Sequence, residues 1–151
     1  MYLFSANYPA LRLRTQLMRE PSGTYREVQL SRPADVFQYL RRELEYADQE
    51  HFLSIPVNTK NAVIGVHTVN IGTINQTVVT PRDIFKTAIL SGATGIILAH
   101  NHPSGDPKPS PDDKNTTRLM ADAGKILGIN VIDHIIVGRD RYFSFKEQGL
   151  I

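Results

Sequence analysis

Apolar positions along the chain switch between helical and strand spacing. Val36, Phe37, Leu40 and Leu44 share one helical face behind Ser31, a capping-type residue, with Pro33 in the first turn. They predict a helix from Ser31 to about Ala47. Phe52 to Val57 and Ala62 to Val69 are apolar, β-branched runs joined by the turn-forming Asn58, Thr59, Lys60 and Asn61, the pattern of a hairpin. A further short strand is expected at Asn75 to Val79. It runs into Thr80-Pro81-Arg82-Asp83, where a cap, a proline at the first helical position and an acid at the third open a helix with Ile84, Phe85, Ala88 and Ile89 inward.

Gly92 stops that helix, and Thr94 to Ala99 is apolar on both faces, as a central strand covered by helices must be. Ser110-Pro111-Asp112-Asp113 opens another helix, with Leu119, Met120, Ala123, Ile126 and Leu127 as its apolar face and Gly128 as its stop. Val131 to Val137 and Tyr142 to Phe145 supply two last strands. Strands alternate with helices, yet the hairpins require antiparallel neighbours, so the expected fold is α/β with a mixed β-sheet flanked by helices. Residues 1 to 30, broken by Pro9, Pro21 and Gly23 and with a short strand at Tyr25 to Leu30, read as an N-terminal extension packed on a domain of residues 31 to 151.

Composition narrows the chemistry. A chain of 151 residues fits one domain with one core. It has no cysteine, which removes disulfides, thiolate zinc fingers and cysteine nucleophiles and leaves His, Asp and Glu as metal ligands. The net charge of +2 comes from arginines interspersed with acids, so nucleic-acid binding is only weakly supported. No basic stretch precedes a long apolar run at the N-terminus and no segment approaches the ~20 apolar residues of a membrane span, which gives the expectation of a cytoplasmic protein without a membrane partner.

Residues 100 to 113, His-Asn-His-Pro-Ser-Gly-Asp-Pro-Lys-Pro-Ser-Pro-Asp-Asp, gather the reactive groups. Strand alternation lets His100 and His102 face one point if the chain stays extended past the strand end, and the intervening loop is long enough to return Asp113, in the first turn of its helix, to the same point. Two imidazoles and a carboxylate suit zinc, with a fourth position open to water. Such a site still needs a general acid or base, expected to be a Glu from elsewhere. Each element has a plainer reading. Ser110-x-x-Asp113 is also a capping box with Asp in place of Glu, and a lone His-x-His is common on sheet edges. It is their coincidence at a strand's carboxyl end, where α/β folds place ligands, that favours a metal. Asp106 is expected in an Asx-type turn or solvated, Asp112 on the solvent face, and His51 and His67 as ordinary histidines. Asp133 and His134 read first as a satisfied buried polar pair, with a supporting role at the site as the alternative.

His100-x-His102 followed by Ser110-x-x-Asp113 resembles the JAB/MPN metallopeptidase signature, the JAMM motif. With Thr80-Pro81-Arg82-Asp83-Ile84-Phe85 before it and Asp133-His134-Ile135-Ile136-Val137-Gly138 after it, the text is similar to the RadC branch. The resemblance runs from about Ser31 to Ile151. Residues 1 to 30 are not expected to carry the helix-hairpin-helix region that precedes this domain in longer RadC proteins, which weakens a DNA-binding expectation.

The resemblance implies a cytidine-deaminase-like fold and one Zn²⁺ held by His100, His102 and Asp113. It also implies a Glu working on the metal-bound water. Glu50 matches that position, whereas Glu43 and Glu45 fall on the preceding helix. Ser110 is expected to serve the oxyanion or the Glu-water network while also capping its helix. The function implied is a zinc-dependent peptidase or isopeptidase acting on a protein or peptide substrate. The alternatives are a DNA-transaction accessory protein of the RadC type and a non-catalytic, zinc-stapled protein-binding domain. Exposed sheet edges are compatible with a homodimer or with an extended substrate strand.

Overall fold

The computed structural model describes residues 27–72 and 79–151. Chain order is α1 (Pro33–Leu44), β1 (His51–Val57), β2 (His67–Ile71), α2 (Pro81–Ser91), β3 (Gly95–Asn101), α3 (Pro111–Leu127), β4 (Asn130–Val137) and β5 (Tyr142–Ser144). The strands form one sheet in the order β2-β1-β3-β4-β5. Only β3 and β4 run parallel, and α3 is the crossover between them. The expected mixed sheet flanked by helices is what the chain forms.

Strand alternation separates two cores. Ile97 and Ala99 of β3 face the layer of Val36, Phe37, Leu40 and Leu44 from α1. Ile96 and Leu98 face Ile84, Phe85 and Ala88 of α2 and Met120 of α3. Every residue of β3 is buried, as its two-sided apolar run requires. Between Ile96 and Ile97 the register against β4 slips by one residue, so that Val131 is opposite Ile96 but His134 is opposite Leu98. The bulge resets the pleat of β4, and His134 is turned to the face that β3 presents to α3.

Several boundaries differ from expectation. α1 ends at Leu44, short of Ala47. Glu45 caps it and turns inward to accept the Asp140 N–H at 2.7 Å, while Tyr46 is left exposed. The second hairpin strand begins at His67 rather than Ala62. Asn58 Oδ1 accepts from Lys60 N and Ala62 N to close a tight turn, and Ala62 and Val63 make only isolated bridges to Gln29 and Val57 before the ladder resumes at Ser54 and His67. Of the strand expected at Tyr25 to Leu30, Gln29 makes that one bridge and Leu30 is buried in the α1-side core, while Tyr25 and Arg26 lie outside the described residues. The strand expected at Asn75 to Val79 lies outside them too, except for Val79, which is not in a strand.

Ile89 of α2 is exposed, flanking a groove it shares with Ile126 and Leu127 of α3. The inward face of α3 is Asp113, Thr117, Met120 and Gly124, whereas Leu119, Ile126 and Leu127 are exposed. The helix is turned by two features that hydrophobicity does not register. One is the carboxylate at its N-terminus, which must face the sheet. The other is Gly124, where a Cβ would lie 2.5 Å from the Ile129 carbonyl and 3.3 Å from Phe85 Cζ. Among the described residues no helix is long and apolar enough to cross a membrane.

Gly124→Ala should therefore destabilise the domain despite alanine's better helix propensity, by about 1–3 kcal/mol of overpacking strain. Chemical denaturation checks this, and an unchanged midpoint would show that α3 does not need the close approach.

Candidate metal centre

The site is built at the carboxyl end of β3. His100 continues the face of Ile96 and Leu98, so its ring enters the space between sheet and α3, fully buried. Phe52, opposite it on β1, stacks on the ring at 5.6 Å between centroids. His102 lies just past the strand and is held extended, its N–H donating to the Val137 carbonyl at 3.1 Å. The loop that follows folds back, and the Asp106 carbonyl meets His102 Nδ1 at 2.7 Å. Its position depends on Gly138, where a Cβ would come within 2.6 Å of both the Gly105 carbonyl and Pro107 Cδ.

α3 then opens with Ser110 at its N-cap. Asp113 N donates to Ser110 Oγ at 3.1 Å, and Ser110 N and Oγ both donate to Asp113 Oδ2 at 2.7 Å. This reciprocal box fixes the carboxylate that faces the histidines. Glu50 comes from the other side, one residue before β1. Asn101, buried between the two histidines in sequence, accepts from His51 N at 2.8 Å and donates to the Gln49 carbonyl at 3.0 Å. One side chain of β3 thus grips the backbone on both sides of Glu50.

The four groups converge. His100 Nε2 lies 3.1 Å from His102 Nε2, 3.1 Å from Asp113 Oδ1 and 3.7 Å from Glu50 Oε1, and His102 Nε2 lies 3.5 Å from Asp113 Oδ2. All four donor atoms fall within 4.8 Å of one another. Ligand atoms at ~2.0–2.1 Å from a tetrahedral zinc lie roughly 3.3 Å apart, so the spacing of the two imidazoles and Asp113 already fits that ion. Glu50 stands slightly farther off, and its buried Oε1 has no hydrogen-bond partner. Beside it, a cavity of ≈ 30 Å³ lined by Glu50, Phe52, Asp113 and Thr116 has room for water.

Burial pushes the Glu50 carboxyl up to about 7, with Asp113 adding to the rise and His102 opposing it. Burial works against the ionisation of Asp113 as well, but hydrogen bonds from His100 and His102, the His100 charge and the Ser110 hydroxyl together hold it well below the ordinary carboxylate range. Burial lowers His100, while the bond to Asp113 raises His102.

The side chains of the other candidates fall outside the four converging groups, although Asp112 also lines the cavity beside Glu50. The Asp106 carboxylate makes an Asx-type contact to Lys108 N at 3.3 Å and pairs with Arg141 at 3.4 Å, so only its backbone carbonyl reaches the site. Asp112 is exposed, and His51 and His67 fall outside the converging group. Glu43 is exposed on α1, and Glu45 is paired with Arg41. Asp133 is satisfied by Ser144 Oγ and by Lys146 N and His134 N. His134, its expected partner in a buried polar pair, instead meets His100 Nδ1 at 2.8 Å, with its other nitrogen 2.6 Å from Thr117 Oγ1. Sequence reasoning missed Asn101, Thr117 and the Asp106 carbonyl. The one available signal was a polar residue at a position that strand or helix spacing makes internal.

A mixed sheet between helices, with two histidines, an aspartate and a glutamate converging at the end of its central strand, defines a JAB-type domain with a candidate metal site. The RadC-like JAB domain family matches residues 30–150, and the chain belongs to that family. It is 45% identical over 122 residues to a UPF0758 protein of Desulfitobacterium hafniense, covering 81% of this chain and 54% of that one. It is 44% identical over 140 residues to one of Caldanaerobacter subterraneus, covering 93% and 59%. With a relative from Desulforamulus reducens it shares 46% over 142 residues, covering 94% and 62%. The chain thus spans between about half and three-fifths of the length of these relatives.

Two outcomes follow from the geometry. Gly138→Ala should push the 105–107 segment outward, carry the Asp106 carbonyl off His102 and weaken the candidate site's affinity for a divalent metal by about 10-fold in a chelator competition; unchanged affinity would refute that dependence. Glu50, with a folded pKa of about 7 against an ordinary 4.5, binds its proton more tightly in the folded chain. The stability this confers is present in acid and is lost as the pH climbs through that window. In EDTA, Glu50→Gln should therefore gain in Tm relative to the parent chain between pH 5 and pH 8, whereas a constant difference would contradict a carboxyl raised by burial.

Proposed function

We propose that this domain is a zinc-dependent hydrolase of amide bonds, a peptidase or isopeptidase acting on a protein or peptide substrate. The observation that carries the reading is the buried, unpartnered Oε1 of Glu50, facing two imidazoles and a carboxylate already spaced as zinc ligands. His100, His102 and Asp113 would hold the ion through both Nε2 atoms and the carboxylate. A zinc ion in such a set supplies Lewis acidity and lowers the pKa of water toward neutrality.

The rest falls to the protein. Glu50 takes a proton from attacking water on its free oxygen and delivers it to the leaving amine, a role suited to a half-buried carboxylate with one unpartnered oxygen facing the site. Asn101 keeps Glu50 over the site by gripping the backbone at Gln49 and His51. Ser110, whose hydroxyl proton here points to Asp113 Oδ2, turns it to the substrate's carbonyl oxygen as negative charge develops there. Phe52 and the fully buried His100 wall off bulk water on the sheet side, which strengthens each of these interactions.

The test is a zinc-loaded chain assayed on peptide and isopeptide libraries, with release of amine as the readout. Cleavage should vanish in a chelator and return with zinc. Glu50→Gln should retain one zinc per chain and lose about 10²–10⁴-fold in kcat. Full activity in that variant would falsify the assignment of Glu50.

A further inference from the structure

Two residues link His100 to Asp113 through a second path. His100 Nδ1 meets His134 Nε2 at 2.8 Å, His134 Nδ1 meets Thr117 Oγ1 at 2.6 Å, and Thr117 Oγ1 donates to the Asp113 carbonyl at 2.6 Å. All are buried, His100 and His134 completely. Resting on the metal-site reading above, we propose that His134 and Thr117 are positioning residues. They lock His100 in the one tautomer that can bind a metal through Nε2, and they tie that ring to the helix carrying Asp113.

Donor and acceptor accounting fixes every proton in this path. If Nε2 of His100 offers its lone pair to a metal, Nδ1 must carry the hydrogen and donate it to His134 Nε2. His134 Nε2 is then a bare acceptor, so its hydrogen sits on Nδ1 and is donated to Thr117 Oγ1. Thr117 has one proton, and that proton already goes to the Asp113 carbonyl four residues back, a bond a helical threonine makes readily. Its lone pairs are what remain to receive His134. The alternative arrangement, with hydrogen on His134 Nε2, would set two N–H groups against each other at 2.8 Å.

The fold also holds the ring in place. The register slip in β4 turns His134 to this face, and its imidazole stacks on Phe145 at 4.9 Å and lies against Phe52 at 5.4 Å. The partner chosen for His100 is therefore a neutral ring rather than the carboxylate often found behind a metal-bound histidine. A carboxylate would make the ligand more basic, whereas a neutral partner orients His100 without adding negative charge behind the ion. With Asp113 and Glu50 already present, this keeps a divalent cation in the site strongly polarising.

The experiment uses the full chain, its Thr117→Val and Thr117→Ser variants, and zinc alone as probe. Valine keeps the shape of threonine and deletes the hydroxyl, while serine keeps the hydroxyl. Chelator competition should show Thr117→Val weakened about 10–100-fold and Thr117→Ser close to the parent. Equal affinity in all three chains, or equal losses in both variants, would overturn the proposal, the latter by showing that only packing matters. Long-range ¹H–¹⁵N spectra of the zinc-loaded parent should show His134 with hydrogen on Nδ1, and hydrogen on Nε2 would likewise overturn it. A parent chain that binds no zinc would refute the metal reading itself, and is distinguishable from a parent that binds while its variants bind equally well.

Discussion

Asp113 imposes the central constraint on this domain. A carboxylate almost wholly removed from water beside two imidazoles is costly unless each of its oxygens is engaged. The sequence meets the condition by starting a helix at that point. Ser110 caps the first turn with its hydroxyl and gives its N–H and hydroxyl to the carboxylate, and the positive end of the helix adds to the stabilisation. Because Asp113 must face the end of β3, α3 is committed to one rotation about its axis. That rotation places Thr117, Met120 and Gly124 against the sheet and leaves Leu119 and Ile126 in solvent. The helix is thus set by a polar group at one end and a close backbone approach at the other, with Met120 as the apolar contact between them.

The same requirement explains which parts of the molecule were readable in advance. β3 was legible because it is apolar on both faces, and α2 and α3 because cap, proline and glycine stop mark their ends. His100, His102 and Asp113 were legible because two-residue strand spacing and a capping box are local rules. The orientation of α3 was not, since apolar residues on its exposed side outnumber those on its buried one. Nor was the role of His134. Regular alternation from Val131 would have turned it to the α1 face, and one bulged residue reverses that. Glu50 rested on resemblance, because the contact that brings it to the site is made by Asn101, fifty-one positions later in the chain.

Around the converging groups, each imidazole has its second nitrogen occupied, His102 by the Asp106 carbonyl and His100 by His134. Of the four converging groups, Glu50 alone has a buried oxygen left over. Groups held in one geometry thus stand beside one group left unsatisfied, a contrast that arises from the packing of three elements: the end of β3, the first turn of α3 and the entry to β1. The curated relatives are longer than this chain, which spans between about half and three-fifths of their length.

The most direct measurement is a crystal structure of the zinc-soaked protein, with the ion located by anomalous scattering. One ion bound by Nε2 of His100, Nε2 of His102 and the Asp113 carboxylate, with Glu50 outside the coordination sphere and facing it across water, is the expected result. An ion held through Nδ1 of either histidine, one that takes Glu50 as a direct ligand in place of Asp113, or a site that stays without zinc at saturating concentration would contradict it.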